Sequence, residues 1–233
     1  MSIKKDLLEY LQKNRVSTTE VADSLQKTGA IDGLKLINPN NNNIHKVGKV
    51  RCVFAAYESN YLVHDQIKDV KEGEIVLIFT YECGSKAIIG DLIAKYLLLY
   101  RGVNAILVNG NVRDVAKLIK ENYPIWAHGS NPIGCVNNFT KPFPPKEQFL
   151  IKRKFKGAIA VCDAGGVVII ENSKIDKKIL NNIKSLEAQE DLWYFCLDNL
   201  KWTTKEIVCE KKYLKTKNIL SPSQIKKVND YLK

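Results

Sequence analysis

Arg113 and Asp114 are the neighbouring side chains best suited to chemistry in this sequence. They follow the apolar run Asn104–Val108 and the turn residues Asn109-Gly110, at a predicted helix start. Ligands of parallel sheets bind beyond the carboxyl ends of the strands, which is where such a pair would lie. An aspartate can hold a hard divalent cation with water completing the shell. An arginine can grip a carboxylate or an enolate oxygen with paired donors. The alternative is that both residues cap one helix and bond its backbone.

A second candidate site is the turn Glu82–Ala87, which follows the apolar run Ile75–Phe79. The pattern predicts a long apolar helix from about Lys86 to Tyr100. Free N–H groups at such a helix start favour an anion, whereas simple loop closure is the alternative. Neither GxxxxGK[ST] nor GxGxxG occurs, so this is not a known nucleotide loop. If the two preceding strands are neighbours, both candidate sites would share one pocket.

The elements that must position these residues alternate between strands and helices. Apolar runs predict strands near residues 46–56, 75–79, 104–108, 123–127, 159–162 and 167–170. Their alternation with helical patterns favours parallel pairing and an α/β architecture. The segment Ser17–Glu20 is a capping signal that starts an early helix. From Ser173 onward the pattern is helical, with a break at Pro222. We expect Asp163–Gly166 to be a strand-connecting turn, with a functional turn as the alternative.

Composition and charge restrict the class of protein. A hydrophobic content of 45% excludes wholesale disorder, and no apolar run is long enough to span a membrane. The net charge is +11, but residues 141–156 hold six bases and one acid, and a lysine-rich tail holds most of the rest. We therefore expect a solvated basic surface without a nucleic-acid partner. Six scattered cysteines without a CxxC pair predict reduced, mostly buried thiols in a cytoplasmic protein.

A series of short motifs resembles the RraA-like family, which includes 4-hydroxy-4-methyl-2-oxoglutarate aldolases and the RraA regulators of ribonuclease E. The resemblance covers roughly residues 16–170. It is carried by the segments Ser17–Leu25, Gly29–Gly33, Val47–Val50, Asn60–Asp65, Gly73–Ile78, Ala87–Gly90, Gly102-Val103, Asn109–Asp114 and Pro124–Ala127. It is most specific at the last three of these. The resemblance implies a layered β/β/α domain of the swivelling type that assembles as homotrimers or homohexamers.

The resemblance also implies roles for individual residues. Arg113 would be catalytic, binding the keto oxygen and steadying the enolate that forms as a C–C bond breaks. Asp114 would anchor Mg²⁺, or another divalent cation such as Mn²⁺, largely through water. Backbone amides of Gly84, Ser85, Lys86 and Ala87 would hold the carboxylate of a small 2-oxo acid. Metal and guanidinium would both act on charge that grows in the transition state.

The sequence departs from the family pattern near this site. Lys117, Ala158 and Gly165 stand where family aldolases often carry acids or a conserved turn. Three interpretations therefore stay open. The first is a divalent-metal-dependent lyase that releases pyruvate, and the second is a non-catalytic regulator that binds a ribonuclease or another protein. The third keeps the same pocket but uses it on another oxo acid or a sugar acid. We predict an N-terminal helix over residues 1–15, the family domain over 16–172 and a helical extension over 173–233.

Overall fold

In the part of the chain that the structure describes, eight strands form one mixed sheet. The structure is a computed structural model and describes residues 2–41, 43–216 and 219. The strands are β1 (Lys35–Leu36), β2 (His45–Ala56), β3 (Glu74–Tyr81), β4 (Ala87–Ile89), β5 (Ala105–Val112), β6 (Ile125–Ser130), β7 (Ile159–Asp163) and β8 (Gly166–Ile170). Their order is β1-β6-β5-β3-β2-β7-β8, and β4 pairs with β5 outside this path. Strands β2 to β6 pair in parallel, whereas β1, β7 and β8 join antiparallel.

Helices cover the sheet and extend the chain beyond it. They are α1 (Ile3–Lys13), α2 (Thr18–Ser24), α3 (Tyr61–Gln66), α4 (Asp91–Lys95), α5 (Val115–Lys120), α6 (Pro145–Phe155), α7 (Lys177–Asp198) and α8 (Lys212–Lys215). The π-helical turn Tyr96–Tyr100 continues α4, and another, Lys205–Cys209, precedes α8. Short 3₁₀ turns lie at Ile67–Asp69 and Asn172–Lys174.

Alternating side chains divide the core into layers. Odd-numbered residues of β3 such as Leu77 face the β7–β8 hairpin, whereas even-numbered ones such as Ile78 face the layer of α3, α4 and α5. The Trp126 indole N–H on β6 donates to the Asp163 carbonyl at the end of β7 at 2.9 Å. This hydrogen bond links the parallel strands to the β7–β8 hairpin that packs over them. The outer face of β7–β8 packs against α1, α2 and α7. The β/β/α layering therefore carries an additional outer layer of helices.

The α/β fold class predicted from the sequence is confirmed, including the helical extension as far as the structure describes it. Ser17 and Glu20 form the predicted capping box. The predicted helix from Lys86 to Tyr100 is wrong at its start, because residues 87–89 form β4 and the helix begins at Asp91. Tertiary pairing beside β5 overrides the apolar helical pattern there. The predicted break at Pro222 lies outside the described residues.

The remaining general expectations concern thiols and membranes. All six cysteines are free thiols, and four of them are buried, as the sequence predicts. In the part of the chain that the structure describes, no helix has the length and apolar character needed to cross a membrane.

Candidate active site

Arg113 and Asp114 lie at the carboxyl end of β5, in the exposed turn that leads into α5. The shorter strand β4 ends beside them, with Ile89 opposite Val112. The Arg113 amide donates to the Ile89 carbonyl at 3.0 Å. The ends of β4 and β5 therefore coincide, and the start of α4 at Asp91 lies against the Arg113-Asp114 pair.

The Asp114 carboxylate points to a neighbouring helix rather than to its own. Asp114 precedes α5 with a φ of 60° and makes no side-chain cap on that helix. Its Oδ2 accepts a hydrogen bond of 3.1 Å from the amide of Asp91, the first residue of α4. Aspartate tolerates this left-handed backbone better than most residues, yet the conformation still costs free energy. The alternative in which both residues only cap one helix does not describe Asp114.

The Arg113 side chain runs between two glycines. A Cβ atom at Gly90 would lie 2.9 Å from its Cγ, and one at Gly134 would lie 2.8 Å from Nη1. The Nε atom stands 3.9 Å from Asp114 Oδ2, and the side chain is 50% exposed. The absence of side chains at positions 90 and 134 thus leaves room for the Arg113 side chain, which is half exposed and accessible to a ligand.

The turn Gly84–Lys86 adjoins the site but does not open the helix. The Lys86 amide donates to the Cys83 carbonyl at 3.2 Å, and the Ala87 amide donates to the Ile133 carbonyl at 2.8 Å. These two amides are therefore already bound within the protein, which argues against their predicted role in holding a carboxylate. Gly84 and Ser85 are exposed, and a role for them stays a prediction.

Side chains hold this turn beside β5, as expected if the two candidate sites share one region. The Asn111 side-chain amide donates to the Ser85 carbonyl at 2.7 Å. Lys86 forms an ion pair of 2.6 Å with Glu58, and this hydrogen bond raises the pKa of Lys86. The turn is thus fixed beside β5 at Asn111, which lies two residues before Arg113.

Two buried thiols lie under the same region. Cys83 belongs to the turn, and Cys135 directly follows Gly134. The hydrogen bond between them lowers the pKa of Cys83 and, together with burial, raises the pKa of Cys135. They pack in the core layer that faces α3, α4 and α5.

The donor set at Asp114 fits a water-rich divalent cation site. Mg²⁺ keeps several waters and binds through one or two carboxylates together with ligand oxygens. Asp114 supplies one carboxylate, and Asp91 supplies a second that now faces Lys117, with 3.7 Å from Asp91 Oδ2 to Nζ. Over the described residues, no group of three or more His, Cys, Asp or Glu side chains forms a metal cage. The site therefore fits Mg²⁺ or Mn²⁺ held largely by water, with Lys117 as a competing charge.

The turn Asp163–Gly166 connects β7 to β8, as expected from the sequence. Asp163 accepts hydrogen bonds of 2.7 Å from both the amide and the hydroxyl of Thr18, and one of 2.8 Å from the Gly165 amide. Its carboxylate therefore joins the hairpin to α2 and serves packing between layers.

Sequence reasoning missed Gly90, Asp91 and Gly134 as parts of the site. A local signal existed for the first two, because a glycine before an acidic first-turn residue is a helix start. Gly134 carries no comparable signal, since it reaches Arg113 only through the fold.

The fold and the site together define a member of a known family. A sequence model of the RraA-like family, described as Aldolase/RraA, matches residues 18–169, and the chain belongs to this family. The resemblance inferred from the motifs is confirmed. The predicted domain boundaries remain a prediction beside this match.

Curated relatives and solved structures are similar at low identity. A protein of Halalkalibacterium halodurans named "Putative 4-hydroxy-4-methyl-2-oxoglutarate aldolase" is 25% identical over 77% of this chain and 84% of its own length. One of Shewanella oneidensis with the same name is 28% identical over 38% of this chain and 51% of its own length. An uncharacterised protein of Pseudomonas syringae superposes with a TM-score of 0.63 at 16% identity, covering 87% of this chain and 96% of that chain. Streptomyces coelicolor RraAS2, titled an unusual member of the RNase ES inhibitor RraA protein family, superposes with a TM-score of 0.62 at 18% identity, covering 79% and 94%.

Proposed function

We propose that this protein is a divalent-metal-dependent lyase that acts on a small 2-oxo acid, by retro-aldol cleavage or decarboxylation giving pyruvate. The observation that carries the proposal is the meeting of Arg113, the Asp114 carboxylate and the first turn of α4 at the ends of β4 and β5. The aldolase names of two relatives support the same class of reaction.

The first turn of α4 is suited to hold the substrate carboxylate. The first amides of a helix have no intrahelical acceptor and carry the positive end of the helix dipole. The Asp91 amide is taken by Asp114, whereas the amides of Leu92 and Ile93 precede the first intrahelical bond, from Ala94 to Gly90 at 3.1 Å. We assign the carboxylate to these two amides, in place of Lys86 and Ala87.

Arg113 is then placed to bind the 2-keto oxygen. As the bond to the leaving fragment breaks, its electron pair moves onto the pyruvate fragment, which becomes an enolate with negative charge on that oxygen. The other fragment leaves as CO₂ in decarboxylation, or as a carbonyl compound whose hydroxyl proton passes to water in retro-aldol cleavage. The enolate then takes a proton from water to give pyruvate. The guanidinium lies between Gly90 and Gly134, where it would stabilise this charge. Asp114 would anchor the divalent cation, which when bound supplies Lewis-acid stabilisation of the same charge.

The test measures pyruvate release from oxaloacetate and from 4-hydroxy-4-methyl-2-oxoglutarate in the presence of Mg²⁺ or Mn²⁺. A coupled assay with lactate dehydrogenase detects the pyruvate. We expect Arg113→Lys and Asp114→Asn each to lower kcat/KM by about a hundred-fold or more. Lys120→Gln, an exposed change on α5, should leave the rate unchanged. Equal rates in wild type and Asp114→Asn would refute the lyase assignment.

Assembly into a homotrimer or homohexamer is part of the proposal. Leu92 and Ile133 beside the site are 77% and 64% exposed, and Leu99 and Tyr100 on the same helical segment as Leu92 are 60% and 72% exposed. Exposed apolar patches of this kind favour a protein contact. Light scattering on the purified protein should give a mass of three or six chains.

The second candidate function is a regulator that binds a ribonuclease. It is favoured by the inhibitor title of the Streptomyces coelicolor neighbour and by Lys117, whose charge opposes a cation at Asp91. A complex with a ribonuclease at micromolar concentration, together with no pyruvate release, would favour this function over the lyase.

A further inference from the structure

A cleft lies between α6 and β2, well away from Arg113. It has a volume of about 680 Å³ and is lined by Val50, Arg51, Cys52, Phe149, Lys152, Arg153, Phe155, Lys156 and Gly157. Clefts of this size with an apolar wall and a few polar groups are typical small-ligand sites. The basic segment 141–156 that stood out in the sequence therefore borders a cavity of its own.

The floor of this cleft contains an open stretch of strand edge. The Val50 amide donates to the Ala158 carbonyl at 3.0 Å, where the pairing of β2 with β7 ends. At Phe54, the Gln66 side chain occupies this strand edge. It accepts a hydrogen bond from the Phe54 amide at 3.1 Å and donates one to the Phe54 carbonyl at 2.9 Å. Because alternate residues of a strand direct their backbone groups to the same side, Cys52 presents its N–H and C=O towards the cleft.

The rim of the cleft is cationic. Over the described residues, no carboxylate lies within ion-pair distance of Lys152, Arg153 or Lys156. Arg51 is held by Glu74 through two hydrogen bonds of 2.9 and 3.0 Å. Arg153 and Lys156 also line an adjoining cleft of about 590 Å³, where Lys154 lies 3.9 Å from the carboxylate of Glu171.

An aromatic ring stands beside this polar edge. Phe149 on α6 lines the cleft, and its side chain is 64% exposed. Lys152 Nζ lies 5.4 Å from the centre of the Phe54 ring, so this cation leans over the apolar floor.

We propose that the cleft between α6 and β2 binds a nucleoside phosphate. A nucleobase carries adjacent donors and acceptors on its edge, which complement the N–H and C=O of Cys52. Its face stacks on Phe149, and its phosphates lie against Lys152, Arg153 and Lys156. A purely anionic ligand would contact the cationic rim but not the strand edge or the Phe149 ring. We therefore assign a ligand that carries both a base and phosphates.

This site is separate from the proposed active site. Cys52 pairs with Leu77 of β3, and Leu77 pairs with Leu107 of β5. Arg113 lies six residues beyond Leu107 along the chain. The two sites are therefore separated by about 20 Å along the strand direction. Nucleotide binding at the cleft between α6 and β2 can therefore be measured whether or not the protein releases pyruvate.

The test is isothermal titration of the full-length protein with ATP, adenosine and inorganic tripolyphosphate at about 0.1 M salt. We expect ATP to bind about ten-fold more tightly than tripolyphosphate, because the base adds stacking and edge contacts. The double variant Lys152→Gln/Arg153→Gln and the single variant Phe149→Ala should each weaken ATP binding by about ten-fold. Lys146→Gln, exposed on the same helix and absent from the cleft lining, is the matched control.

Three results would overturn the proposal. Tripolyphosphate binding as tightly as ATP would mean that only the charge is recognised. An equal loss in Lys146→Gln would mean that the whole helix acts as a diffuse cationic surface. No heat of ATP binding at millimolar concentration would mean that the cleft is not a nucleotide site. The substituted side chains are solvent-facing, and an unchanged thermal midpoint for each variant checks that the fold is kept.

Discussion

Two glycines determine where the Arg113 guanidinium can lie. A Cβ added at Gly134 would stand 2.8 Å from Nη1, which is closer than two such atoms can approach. We predict that Gly134→Ala displaces the guanidinium and lowers kcat for pyruvate release by about ten-fold or more. The thermal midpoint should change little, because the arginine tip is half exposed. The measurement is steady-state kinetics together with a thermal melt.

The matched control is Asn137→Ala, an exposed change three residues further along the same loop. It should leave both kcat and the melting temperature as in wild type. A Gly134→Ala protein that kept the full wild-type kcat would show that Arg113 does not need its present position.

Lys117 limits how strongly the site can hold a cation. Its ammonium lies 3.7 Å from Asp91 Oδ2 and is 69% exposed. Charges at about 4 Å in water interact by about 1 kcal/mol, so Lys117→Gln should tighten Mn²⁺ binding by about five-fold. Electron paramagnetic resonance of free Mn²⁺ measures this directly. Lys120→Gln on the same helix should have no such effect, and equal affinities in wild type and Lys117→Gln would place the cation away from Asp91.

At the scale of elements, one carboxylate joins α2 to the β7–β8 hairpin. Asp163 accepts from the Thr18 amide, the Thr18 hydroxyl and the Gly165 amide. Hydrogen bonds to a charged group contribute about 1.5–3 kcal/mol each, and Thr18 is buried. We predict that Asp163→Ala lowers the free energy of unfolding in urea by about 2–3 kcal/mol.

The control is Asp65→Ala, which removes an exposed i,i+3 ion pair with Lys68. That change should cost about 0.5 kcal/mol or less. If both variants lose the same stability, the Asp163 hydrogen bonds do not hold the two elements together.

The helix starts illustrate why some elements are predictable from sequence and others are not. The capping box at Ser17 and Glu20 is local, so the sequence predicts α2 correctly. Residues Ala87–Ile89 have an apolar helical pattern, yet they extend along β5 because that strand offers backbone partners. Pairing with a distant strand is absent from the local pattern, and the helix start was consequently predicted five residues too early, at Lys86 instead of Asp91.

At the scale of the whole molecule, α1 and the first half of α7 share one hydrophobic layer. Leu7 and Leu11 of α1 and Ile179 and Ile183 of α7 pack together against the outer face of β7–β8. The additions at each end therefore complete a layer of the fold. A separate, smaller cluster around Leu192, Cys196, Ile207 and Tyr213 continues beyond it.

Ile183 tests this arrangement because its side chain is fully buried. We predict that Ile183→Ala lowers the free energy of unfolding by about 2–4 kcal/mol through lost burial and a cavity. Chemical denaturation should show one transition at a lower midpoint. Lys178→Ala, exposed on the same helix, should change the midpoint little. A second transition, with the main one unshifted, would mean that the extension folds apart from the sheet.

The sequence by itself determined the α/β class and the family, and it predicted a site at the Arg113-Asp114 pair, because these rest on periodicity and on motifs of adjacent residues. Only the tertiary structure decided what surrounds that pair. Gly134 meets the guanidinium, and Asp91 meets the Asp114 carboxylate, through strand pairing between segments far apart in the chain. It also decided that the basic segment 141–156 lines a cleft beside β2. Side chains distant in sequence meet only when the chain folds, so no local pattern encodes their contact.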